Sequence, residues 1–261
     1  MSFEFAEIAR NAAADRSISS DEVRALREAG WADGKMTHEE AEIVFATEHA
    51  IDNPTREWSD FFVEAIQNYV LNGSDPRGFA SHEEAQWLIG QVEIDGKVCS
   101  MTELELLTRI IERAQNVPET LKAYVLDVMV REVLEGTGPT RCGGELSDSH
   151  VSAAECRIMR RVIFGQASDR PAAVSRREAE VLFRIKDAVA GADAGPPSVA
   201  PPPERPYLEE TQREPGQLRI AYTTDPLLGR SLDPECKKGV EQTARKLAAL
   251  GHHVEEVTPP I

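Results

Sequence analysis

VCSMTELELLTRIIER, residues 98–113, carries the pattern on which the fold turns. Ser100 stands three residues before Glu103, and Val98 precedes the pair. A serine at a helix N-cap accepts the amide of the third helical residue, and a glutamate there reaches back to the N-cap amide. The box opens a helix with Leu104, Leu107, Ile110 and Ile111 on one face, at steps of three and four.

The same signature recurs six times up to residue 178. It appears as Ser19–Glu22, Thr37–Glu40, Ser81–Glu84, Ser100–Glu103, Ser152–Glu155 and Ser175–Glu178, each behind an apolar residue. One box is a weak sign; six of them before apolar-periodic segments predict six helix starts. They come in pairs about 20 residues apart. The first two pairs are each followed by a further periodic segment, Pro54 leading one and Pro118 the other, with Gly73 and Gly136 at their ends. The chain therefore reads as an array of capped helix–loop–helix repeats over roughly 19–73, 81–136 and 152–192. The third copy is incomplete, because GADAGPP stands where its closing helix should begin. The fold class is mostly α, with an acidic all-α domain over 1–192.

The loops inside the pairs pose a metal question. They read AGWADGKMTHEE (29–40) and QVEIDGKVCSMT (91–102). A calcium loop needs carboxylates or amides at positions 1, 3 and 5, glycine at 6 and glutamate at 12. The nearest candidates are Asp33 and Glu40 in the first loop and Glu93 and Asp95 in the second. Ala29, Trp31, Gln91 and Thr102 occupy other ligand positions. Two or three oxygens cannot replace the hydration shell of a cation that takes about six to eight. The Asp-Gly pairs are read as turns and the glutamates as caps, so neither metal nor cofactor is expected. Cys142, His150 and Cys156 fit no zinc spacing. The aromatic residues Trp31, Trp58, Trp87, Phe61, Phe62 and Tyr69 are expected to be packing, and His49 and His82 receive no role.

With these turns in view, the stretch over about 15–192 resembles the TerB-like group of small acidic all-α bacterial proteins, and more closely its multi-repeat proteobacterial relatives. The resemblance implies the fold; the TerB name adds a link to tellurite resistance and stress complexes. In those relatives a Trp-containing helix closes the third repeat, which is missing here.

From residue 193 the composition changes. GPPSVAPPPERP (195–206) excludes helix and central strand, so 193–214 is expected to be extended. LRIAYTT (218–224) reads as a buried strand. Asp233 caps a helix with Pro234 in its first turn and Cys236, Val240, Ala244 and Leu247 as its stripe; Gly251 ends it, and HHVEEV (252–257) is a second strand. Residues 215–261 thus form a short β–α–β fragment, too small to fold alone. PPPERPYLEE (201–210), PGQLRIAYTTDP (215–226), DPEC (233–236) and LGHHVEE (250–256) resemble consecutive blocks of an amidase-signature hydrolase, over about 196–261. That family's chemistry implies a lysine, a bridging serine and a nucleophilic serine in a Gly/Ser-rich stretch. The only Gly-Gly pair, Gly143-Gly144, is followed by Glu145; Ser147 and Ser149 belong to an inter-repeat loop. Ser231 and the pair His252-His253 make no convincing site, since adjacent strand residues face opposite ways. No catalytic residue is assigned, and the chain is not expected to be an enzyme.

The net charge of −16 disfavours phosphate backbones and anionic membranes, so no nucleic acid is expected. Protein partners of the acidic array, basic ones above all, or a second copy of the chain fit that charge better. No stretch reaches eighteen apolar residues, and the start has no apolar leader, so a cytoplasmic location without a membrane span is expected. Three functions stand: an interaction, scaffold or stress-response array; a C–N hydrolase by its C-terminal segment; and a TerB-like divalent-cation or tellurite-stress module. The change of text near residue 193 reads as a join between two unrelated sequences.

Overall fold

The computed structural model of the chain describes residues 3–30, 35–73, 75–94, 96–98, 100–141, 150–165, 174–191, 201–214, 216–225 and 232–257, with Phe3 and Glu4 described by their backbone alone. The chain is mostly helical and divides into two compact units, Met1–Leu208 and Glu209–Ile261.

The first unit contains helices α1 (Phe3–Asp15), α2 (Ser20–Gly30), α3 (His38–Ala50), α4 (Arg56–Asn72), α5 (His82–Val92), α6 (Met101–Arg113), α7 (Glu119–Glu135), α8 (Ala153–Phe164) and α9 (Arg176–Val189). All six boxes close as reciprocal hydrogen bonds. At Ser100 the hydroxyl accepts Glu103 N at 3.0 Å while Glu103 Oε2 accepts Ser100 N at 3.0 Å. The same exchange stands at Thr37, Ser81, Ser152 and Ser175, and between Ser19 and Glu22 at the start of α2. Each satisfies amides that the first helical turn leaves without an intrahelical partner.

Two starts depend on other chemistry. Thr55 caps α4 by accepting Trp58 N at 3.2 Å, with no glutamate to return the bond. Pro118 precedes α7 without a side-chain cap. Gly136 ends α7 in the left-handed region at φ 71°, which glycine enters without steric penalty. Helix α1 has no box to announce it in the sequence; Phe5, Ala9 and Ala12 are its buried face. Within the second loop, Glu93–Ile94 (β1) pairs antiparallel with Lys97–Val98 (β2), and Gly96 takes φ 79°. A minimal hairpin therefore stands where a plain interhelical turn was expected.

The core runs through the whole helical unit, from Phe5 on α1 to Ile185 on α9. α1 packs on α2 and α3, α4 on α6 and α3, and α7 on α8 and α9. Trp58, Phe61 and Phe62 are fully buried. Phe45 meets Phe62 edge-on with ring centroids 5.2 Å apart, a favoured aromatic geometry. Trp31 lies outside the described residues. Of the stretch expected to be extended over 193–214, Tyr207–Glu210 is a helical turn (α10). Asp187 on α9 accepts Tyr207 N at 2.5 Å and Leu208 N at 2.9 Å, and Lys186 Nζ sits 3.7 Å from the centre of the Tyr207 ring.

The second unit is a β–α–β crossover. Arg219–Tyr222 (β3) and His253–Glu256 (β4) pair in parallel, Ile220 beside Val254, and α11 (Pro234–Ala249) connects them. Asp233 accepts Glu235 N at 2.8 Å and Pro234 opens the helix, as the sequence predicts. The strand is not buried, however: Arg219 and Ala221 are exposed and Ile220 and Tyr222 only half-buried. One helix laid on two strands covers one face of each strand, and a strand needs both faces covered to be buried.

Candidate functional site

The proposed metal ligands do not converge among the described residues. Glu40 is the N3 residue of α3, buried, and its Oε2 accepts both the amide and the hydroxyl of Thr37 at 2.9 Å. Glu93 is exposed on β1. Asp33 and Asp95 lie outside the described residues, as do Cys142, Gly143, Gly144, Ser147, Ser149 and Ser231. Among the described residues no group of three or more His, Cys, Asp or Glu side chains is arranged to hold a metal. His150 contributes its carbonyl to Arg141, and Cys156 is exposed.

The structure instead brings buried charges together at two helix junctions. Where α3, α4 and α6 meet, Glu48 Oε2 accepts Trp58 Nε1 at 2.6 Å. Its other oxygen lies 3.5 Å from Ser100 Oγ. Burial pushes the Glu48 carboxyl above the usual carboxylate range, and the neighbouring Glu103 adds to that, although the Trp58 hydrogen bond opposes it. Glu103 is 1% exposed, and His49 Nε2 meets its Oε1 at 2.8 Å. That hydrogen bond raises the imidazole above its ordinary value against the opposing effect of its partial burial. His49, which carried no role in the sequence, is thus the partner of a buried cap glutamate.

The second junction lies at the start of α8. Arg141 Nε donates to Glu155 Oε1 at 2.6 Å and its Nη2 to Oε2 at 3.2 Å, a two-pronged pair with both side chains buried. Arg141 Nη2 also donates to the His150 carbonyl at 2.6 Å, and the Ser152 amide to Glu155 Oε2 at 2.6 Å. Burial pushes Glu155 up, but Arg141 and the cap amide prevail and hold it below the usual carboxylate range. Glu132 on α7 accepts the amide of Thr140 at 3.1 Å and its hydroxyl. Burial drives its carboxyl up.

These clusters bind helices to one another. A general base needs a lone pair that substrate can reach, and a nucleophile needs such a base beside it. The Ser100 and Ser152 hydroxyls each accept a cap amide, and Glu103 and Glu155 accept their own N-cap amides and also meet His49 and Arg141 respectively. In the second unit His252 Nδ1 accepts Leu218 N at 3.3 Å and His253 is exposed. Thr224 donates to Glu256 at 2.7 Å.

Comparison with known proteins places the C-terminal part. Residues 160–261 match the Amidase family. The match begins inside α8, well before residue 196 where the resemblance read from the sequence begins, and so includes α9. Two curated proteins, both 6-aminohexanoate-cyclic-dimer hydrolases, one from Pseudomonas sp. (strain NK87) and one from Paenarthrobacter ureafaciens, are 36% identical over 84 residues. The aligned stretch is 32% of this chain and 17% of each relative. No solved structure matches the chain. The C-terminal part of this chain is therefore similar to a segment of amidase-family hydrolases, of whose length it spans about a sixth.

Proposed function

We propose that this chain is a non-catalytic helical repeat protein, an interaction or scaffold module whose acidic array engages basic protein surfaces, joined to an amidase-like segment. One observation carries the non-catalytic reading: the buried glutamates Glu40, Glu103, Glu155 and Glu178 each hold the backbone amide of their own N-cap residue. They stabilise helix starts and are not presented to a substrate. The repeat reading draws on recurring neighbours, since α1 lies on α3, α4 on α6 and α7 on α9. The TerB-like part of the reading rests on the turn motifs of the sequence alone. The net charge of −16 supplies the attraction to cationic partners.

Immobilised chain is expected to bind polylysine with an affinity that falls as salt rises, and to leave polyglutamate unbound. Equal binding of the two polymers would remove the charge argument. A second reading, a C–N hydrolase acting through the C-terminal segment, is favoured by the match over 160–261. Purified chain is expected not to open the cyclic dimer of 6-aminohexanoate above the uncatalysed rate. Turnover that rises in proportion to protein concentration would establish the hydrolase reading in place of the first.

A further inference from the structure

Among the described residues, β3 and β4 pair only with each other, so each has an open edge. The Leu218 and Tyr222 carbonyls accept the His253 and Val257 amides at 2.8 Å. Backbone groups alternate sides along a strand. Leu218, Ile220 and Tyr222 therefore face β4, while Arg219 and Ala221 turn N–H and C=O outward. By the same alternation Val254 and Glu256 face out from β4. An unpaired edge is a template for another strand, and charged side chains are a common guard against it. Glu255 and Glu256 stand together on β4. β3 carries one charge, Arg219, and its guanidinium lies 3.6 Å from Glu255. The β3 edge is the less guarded of the two.

Apolar surface and charge both set this unit apart. A cavity of about 440 Å³ lies between sheet and helix, lined by Ile220, Tyr222, Val254, Val240 and Leu247. Ten large apolar side chains are exposed among the described residues. Five of them, Leu218, Leu232, Val240, Leu250 and Val257, fall within 209–261, about a fifth of the chain. Such a concentration marks a surface that is covered by something. Residues 209–261 hold nine acids and seven bases, net −2, which leaves −14 of the chain's −16 on residues 1–208. Two copies therefore repel through their helical units and hardly at all through this one.

We propose that the β3 edge pairs with the β3 edge of a second copy of this chain. The strands run antiparallel about a two-fold axis at Ala221. Ala221 then lies opposite Ala221 of the second copy, and Arg219 opposite Thr223, so the outward-facing amides and carbonyls of β3 meet their like. Ile220 of each copy lies opposite Tyr222 of the other beneath the helices, a β-branched–aromatic pair that extends the apolar floor of the cavity. Both copies of α11 stay on one face. The other face carries Arg219, Ala221, His253 and Glu255, all exposed, and needs no second layer. Four strands with helices on one side reach the size at which a sheet holds together, which two strands do not. Pairing through β4 instead would bring Glu255 and Glu256 of both copies onto adjoining strands. The surface lies outside the acidic helical array and does not rest on the interaction reading above.

The test is sedimentation velocity of the full chain from micromolar to submillimolar concentration, with amide exchange followed residue by residue. A small interface is a weak one, so a reversible monomer–dimer equilibrium is expected, with 209–261 still the region cut first by protease at the dilute end. Salt is expected to strengthen association by screening the helical units, the opposite of its effect on polylysine binding. The Arg219 and Ala221 amides are expected to gain protection as concentration rises, while those of Ile220 and Tyr222 are already protected by β4. Ala221→Pro removes an N–H that serves only the open edge, and is expected to weaken association roughly tenfold or more with the helical signal unchanged. Should that variant lose helical signal, the exchange result on the natural chain decides. A monomer at every concentration, or Arg219 and Ala221 amides protected even in dilute monomer, would overturn the proposal. So would concentration-dependent protection at Val254 and Glu256 instead, or undiminished association of the folded variant.

Discussion

Helices α6 and α11 begin almost alike. Each has a polar N-cap residue accepting an amide of the first turn, and each carries an apolar stripe at three- and four-residue steps. Yet Leu104, Leu106, Leu107, Ile110 and Ile111 of α6 are fully buried, while on α11 Ala244 is the one buried residue. The difference lies in what each helix rests on. α6 is enclosed by α4, α7 and α8, whereas α11 rests on a two-stranded sheet. Capping and periodicity specify an element; only a second layer makes it part of a core. At about 25 cal/mol per Å² of apolar surface removed from water, that layer is the larger source of stability.

Limited proteolysis is the broadest way to break this contrast. Cleavage is expected first within 209–261, leaving a helical product that persists, as mass spectrometry of the fragments would show. Equal lifetimes for the two regions would erase the distinction.

Among substitutions, Arg141→Ala should have the largest effect, about 3–5 kcal/mol by chemical denaturation, because it strands Glu155 as an unpaired buried charge. A loss below about 1 kcal/mol would mean that water reaches Glu155. The cap comparison comes next. Ser100→Ala should cost about 1 kcal/mol of the main unfolding transition. Asp233→Ala removes the equivalent acceptor from α11 and should leave that transition in place, with only a small loss of helical signal. If both shift the main transition equally, α11 belongs to the same cooperative unit.

A smaller effect is expected from pH. The folded state raises the His49 value through Glu103, so its contribution is complete below the unfolded value of about 6.5 and fades as pH rises through the higher folded value. Glu48 acts in the same direction: its carboxyl is raised by burial, so ionising it above about 4.3 opposes folding. Melting temperature should therefore fall between pH 6 and 8, and His49→Gln should flatten that slope. The smallest change is Leu250→Ser. Leu250 is 74% exposed, so this substitution should stay within about 0.5 kcal/mol.

The sequence made the helix starts legible because a capping box is complete within four residues, as Ser100–Glu103 illustrates. α1 has no box and only a short apolar face, so nothing local announced it. The role of His49 was hidden because its partner Glu103 lies 54 residues away, and only the tertiary fold, with α4 packed on both α3 and α6, brings them together. Arg141 and Glu155 were hidden for the same reason, since nothing in the spacing says which cation a cap glutamate will meet. The strand over residues 218–224 was placed correctly but expected to be buried, because an apolar run reports what a strand could bury and not what lies above it. Of the metal candidates, Glu40 was legible as a cap, and it is one. The amidase-like region was recognisable from its proline blocks, but its match reaches back to residue 160, into helices whose capping pattern had already assigned them elsewhere.

Asp187 bears on where the two halves can be separated. Its carboxylate takes the amides of Tyr207 and Leu208, and Lys186 beside it covers the Tyr207 ring. A helical fragment ended at residue 192, where the composition changes, would strip α9 of these partners and leave two acceptors facing water. One ended after Leu208 would keep them. The seam visible in the text and the seam the molecule tolerates are therefore different places.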